Sequence, residues 1–105
     1  MSKTYPVNDP EVGDFVFKQR DLASQVRIQA EASRMLGGPV DDPALRQFAS
    51  VVQTLKALTV QSPAGWDPLA VDPLEPEQTE RLWLVHDAMR DAEERFRKGA
   101  EVQGA

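Results

Sequence analysis

The chain offers few groups capable of covalent or metal chemistry. His86 is its only histidine, so no multi-histidine metal set can form within one chain. Asp87, Asp91 and Glu94 recur at i, i+4 and i+7, which aligns three carboxylates along one helix face. Carboxylates suit Mg²⁺ or Ca²⁺, but a helix spreads them too far apart to close one cage, so the row reads as a solvated face. Gly37-Gly38-Pro39 lacks the lysine and the spacing of a phosphate-binding loop and reads as punctuation. Ser33, Ser50 and Ser62 lack the strand–turn–helix setting of an activated nucleophile. There is no cysteine, which removes disulfides and zinc–thiolate sites. The inventory points away from an enzyme, a cofactor or a metal centre and toward a binding role.

Composition agrees with a packed body. The chain has 105 residues, the length of one domain, and 41% hydrophobic against 28% charged residues permits a core. No apolar run approaches the roughly 18 residues of a membrane helix, and "MSKTYPVNDPEVGD" has no signal-peptide core. The net charge of −5 disfavours nucleic acid, whose phosphates need a basic surface. That charge is unevenly placed: residues 1–60 hold seven basic and seven acidic residues, residues 61–105 hold five and ten. The acidic half would limit self-aggregation and steer a basic partner.

The elements that must position these groups are read as mainly α: a three-helix bundle-like domain with an extended N-terminal strap or short strand. Residues 1–14, with Pro6, Pro10 and Gly13, read as a flexible arm. A single helical domain spans 15–98. In "DFVFKQ", Phe15 and Phe17 share one side of an extended segment. The first helix is expected over about 21–36, from an Asp21 N-cap to the Gly37-Gly38-Pro39 stop. It has two apolar flanks, Leu22, Val26 and Ala30 on one side and Ile28, Ala32, Met35 and Leu36 on the other, and so expects two neighbours. The second is expected over 43–60, with Asp42 as cap, Pro43 in the first turn and Leu45, Phe48, Val52, Leu55 and Thr59 as its inward stripe. The third is expected over 76–98, with Leu82, Val85, Met89, Ala92 and Phe96 inward, followed by a frayed tail over 99–105.

Between the last two helices lies a Pro-rich connector, residues 61–75, "QSPAGWDPLAVDPLE". Bundle connections usually need only about 2–8 residues, and this one carries Trp66, Leu69, Val71 and Leu74 and repeats Asp-Pro-Leu. It reads as a structured strap with Trp66 as its anchor. Trp83 points roughly 140° from the centre of the third helix's stripe. Either the connector folds back so that Trp66, Leu69 or Leu74 covers Trp83, or these five residues meet a partner.

The pattern of "GDFVF", "DLASQVRIQAEASRMLGG", "FASVVQTLKALTV", "SPAGW" and "LWLVHDAMRDAEERFRKG" resembles the tail assembly chaperones of long-tailed bacteriophages and prophages over residues 13–98. Pro63, Gly65 and Trp66 match its turn before the last helix, and Glu93, Glu94 and Phe96 match the end of that helix. The doubled Asp-Pro-Leu departs from the pattern. The resemblance implies a non-catalytic protein of the host cytoplasm, absent from the mature virion. It implies binding to the tape measure protein, help in gathering tail tube protein around it, and self-association into a homo-oligomer. The other reading of the same surfaces is a small helical adaptor or regulatory module of another system.

Overall fold

The structure is a computed structural model and describes residues 3–104. Its elements are β1 (Thr4–Asp9), β2 (Gly13–Lys18), α1 (Leu22–Leu36), α2 (Pro43–Leu58), β3 (Thr59–Gln61), a 3₁₀ turn (Pro68–Ala70) and α3 (Pro76–Gly104). The strands form one antiparallel sheet in the order β1-β2-β3. The fold is therefore α+β, which corrects the expected mainly α three-helix bundle. The helices do not bundle around one another. α1 packs on α2, while α3 lies over β1 as well as α2.

The correction has two local causes. Residues 4–9, read as part of a loose arm, are a strand because Pro10 and Gly13, just beyond them, are the punctuation of a hairpin. Asp9 caps the turn: its carbonyl accepts from Val12 N–H at 3.2 Å and its carboxylate from Glu11 N–H at 2.7 Å. Gly13 then takes φ +110°, which closes a three-residue loop. Pro6 fits because its missing N–H would face outward. The Gln19 N–H donates to the Lys3 carbonyl at 2.7 Å, and that phase in the register assigns Tyr5, Val7 and Asp9 to the bonded pairs and Pro6 to the free edge. A proline there also blunts pairing with other chains. The second cause is β3. α2 stops at Leu58, and Thr59–Gln61 turns extended to pair with β2, across an irregularity at Val16–Phe17.

Gly13 also sits close to the connector: a Cβ there would lie 3.1 Å from Pro63 Cγ. With positive φ and a tight neighbour, Gly13→Ala is expected to cost about 1–3 kcal/mol. Urea denaturation measures this, and an unchanged midpoint would contradict the hairpin geometry.

Helix ends follow their caps. Asp21 accepts from Ser24 N–H and Oγ, both at 2.7 Å, and Gly37 closes α1 at φ 77°. Asp42 accepts from Ala44 and Leu45 N–H groups ahead of α2. α3 runs past the expected stop at Gly99 to Gly104. The expected inward stripes meet the sheet. Phe15, Phe17, Tyr5 and Val7 face Leu55, Leu58, Leu82, Val85 and Met89 in one core. α1 finds one neighbour within the chain rather than two: Ile28 and Ala32 are buried on α2, whereas Leu22 is 80% and Val26 60% exposed.

Among the described residues, one charged side chain is buried. Glu93 accepts from Arg20 Nε at 3.1 Å and from Arg90 Nη1 at 2.7 Å, joining the end of the hairpin to α3. Tyr5, the only tyrosine, lies nearby, stacked on Phe96 with centroids 5.3 Å apart. Its buried hydroxyl has no hydrogen-bond partner among the described residues. Burial first, and then the Glu93 carboxylate, push its pKa up to about 12. The folded state thus holds the proton that the unfolded chain releases near pH 10. Tyr5 contributes stability fully below that pH and loses it as pH rises toward 12. An ultraviolet absorbance titration should find phenolate forming toward pH 12 rather than near pH 10, together with falling stability; ionisation near pH 10 in the intact fold would rule this out.

Candidate docking surface

The connector begins where β3 leaves the sheet. Gly65 at φ 82° permits a turn in which Trp66 N–H donates to the Pro63 carbonyl at 3.2 Å. That turn aims the Trp66 ring edge-on at Phe15 of β2, 5.3 Å between centroids. The Arg81 guanidinium lies 5.9 Å over the same ring, and donates to the Val12 carbonyl at 3.0 Å. Trp66 therefore clamps the connector to the sheet.

The doubled Asp-Pro-Leu makes the same turn twice. Asp67 accepts from Leu69 N–H at 3.0 Å and its carbonyl from Ala70 N–H at 3.1 Å. Asp72 accepts from Leu74 N–H at 2.9 Å and its carbonyl from Glu75 N–H at 3.1 Å. In each, the aspartate side chain caps a turn that proline pre-sets. Pro68 is buried, but the leucine after each proline faces out: Leu69 is 47% and Leu74 89% exposed.

The five sequence-derived residues thus fall into two groups. Trp66, Val71 and Trp83 are half-buried and pack against the core, whereas Leu69 and Leu74 face outward from the connector. Trp83 packs edge-on against Phe48 of α2 at 5.9 Å. Phe48, rather than Trp66, Leu69 or Leu74, supplies that aromatic contact. Leu69 and Val71 join Met35, Leu45, Phe48 and Pro73 around an apolar groove of about 500 Å³. Met35, Leu45 and Phe48 were assigned to helix stripes rather than to a surface. Their signal was available in outline, since Leu45 begins the α2 stripe immediately after the cap, where little precedes it to cover the first turn.

Asp42 lines the groove, and Asp67 and Asp72 each directly precede a proline that lines it. His86 lies apart on α3, half-buried at the edge of the stripe, and burial lowers its pKa. Among the described residues, no group of His, Asp and Glu is placed to hold a metal ion, and no helix is long and apolar enough to cross a membrane. No protein-family model, curated protein or solved structure matches the chain.

Proposed function

We propose that this protein works by stoichiometric, non-catalytic binding to another protein. The particular role we assign is that of a tail assembly chaperone of a long-tailed bacteriophage or prophage. It binds the tape measure protein in the host cytoplasm, keeps it soluble and promotes gathering of tail tube protein around it, without entering the mature virion. The observation that carries the reading is an apolar groove beside two outward leucines, each set in an aspartate-capped turn of the connector. A holdase needs such apolar contacts on a body whose charge keeps it dispersed. The exposed Leu22–Val26 flank of α1 gives a separate surface on which a second copy packs.

Co-expression with tape measure fragments tests the role. The wild type should retain a fragment in the soluble fraction and co-purify with it. Leu69→Asp combined with Leu74→Asp should lose the fragment while keeping the fold, because both side chains face solvent. If no tape measure fragment is retained by the wild type, the assignment fails.

A further inference from the structure

We infer that the groove between the end of α1, the start of α2 and the connector takes a single amphipathic helix with basic flanks. The inference rests on the chaperone reading for the identity of the partner, and on three features of the groove itself.

The first is shape. Leu45 and Phe48 stand at i and i+3 of α2 on the open side of the groove, above the fully buried Val52 one turn on, and Met35, Leu69, Val71 and Pro73 complete its lining. A row of apolar side chains at this spacing leaves a trough that the ridge of another helix fills.

The second is the state of the backbone. The N–H groups of Ala44 and Leu45 are already given to Asp42, that of Leu69 to Asp67 and that of Leu74 to Asp72. Pro68 and Pro73 have no N–H to give. An extended peptide entering here finds few free donors for a ladder, and its own polar groups would be buried unpaired. A helix arrives with its backbone bonds made and needs only apolar contact.

The third is charge. Asp42 lies in the lining, Asp41 is its neighbour in sequence, and Asp67 and Asp72 directly precede the lining prolines Pro68 and Pro73. Among the described residues, no lysine or arginine lines the groove. Of the cations next to lining residues in sequence, Arg34 is engaged by Glu31 at 3.4 Å and Arg46 is exposed on α2. Four aspartates within or next to the lining thus stand against two neighbouring arginines, and lysine or arginine on the flanks of an entering helix matches that local charge.

Isothermal titration of the full chain with synthetic helices of about 18 residues tests this. One peptide carries leucine at i, i+3, i+4 and i+7 with lysine elsewhere; its counterpart has glutamate in place of lysine. The lysine peptide should bind one to one and weaken as salt rises, and the glutamate peptide should not bind. Leu45→Asp and Leu69→Asp should each weaken binding at least about tenfold, and Leu84→Asp, at an exposed position of α3 outside the groove, should leave it unchanged. Circular dichroism confirms that each variant is folded. Failure of the lysine peptide to bind, equal binding of the glutamate peptide, or equal loss with Leu84→Asp overturns the inference. So does self-association of the wild type that Leu45→Asp abolishes, because the groove would then hold a second copy. The two readings fail separately. Tape measure retention unaffected by Leu45→Asp removes the groove and leaves the chaperone role. Peptide binding without retention of any tape measure fragment does the reverse.

Discussion

Truncating Phe15 to alanine is expected to remove about 3–5 kcal/mol of stability, the usual loss for an aromatic side chain with no room to collapse around the cavity. Phe15 is 1% exposed. It stacks on Phe17 at 5.5 Å and receives the edge of Trp66 at 5.3 Å. A domain of this size has only about 5–15 kcal/mol in total, so the melting temperature should fall by more than about 12 °C. The effect is not confined to the core. Phe15 is the surface on which Trp66 seats, so its loss frees the connector and exposes the indole, which fluorescence quenching would report. Phe48→Ala is the control, since Phe48 is only partly buried and its loss should be smaller. A Phe15→Ala cost below about 1 kcal/mol would mean that the sheet is not the base of the core.

Arg20→Ala should be nearly as damaging, by about 2–4 kcal/mol, because it strands a buried carboxylate. The Glu93 side chain is 4% exposed and that of Arg20 16%. Arg90, the other partner of Glu93, is 54% exposed and cannot replace a buried guanidinium. Arg20 also donates to Gln25 Oε1 at 2.9 Å, so its removal loosens the start of α1. The penalty belongs to the unpaired charge rather than to the attraction of the pair. Replacing both partners by apolar residues, Arg20→Met with Glu93→Leu, should therefore recover most of the loss. A double-mutant cycle by urea denaturation measures this; additive losses would contradict it.

Much of the helical architecture was legible because its signals are local. Asp42 and Pro43 mark the start of α2 by what they do to the first turn, and the spacing from Leu82 to Ala92 sets the buried face of α3. The sheet was harder to read. β1 has only two inward apolar residues, Tyr5 and Val7, with Pro6 between them. A proline is a breaker inside a sheet and harmless on an edge, and which of these holds depends on a partner strand that the segment itself does not reveal. Thr59 continues the α2 stripe from Leu55, so periodicity carried the helix beyond the point where pairing with β2 ends it. The surface divides in the same way. Apolar residues in a proline-rich connector stand out, so Leu69, Val71 and Leu74 were visible. Whether Leu45 and Met35 are covered depends on where α1 and the connector lie relative to α2. For Trp83 the wheel gave a direction away from the stripe, and the packing gave the neighbour, Phe48.

The Arg20–Glu93 pair joins residues 73 apart in the chain, and the Arg81–Val12 bond joins residues 69 apart. During synthesis the hairpin is available early and can close within microseconds once it is free of the ribosome. Its apolar face of Tyr5, Val7, Phe15 and Phe17 then waits for α3. At about 5–20 residues per second, translating from residue 20 to residue 93 takes roughly 4–15 s. For those seconds only α2 can lie against that face, and the part that Leu82, Val85 and Met89 fill stays open until the last helix arrives.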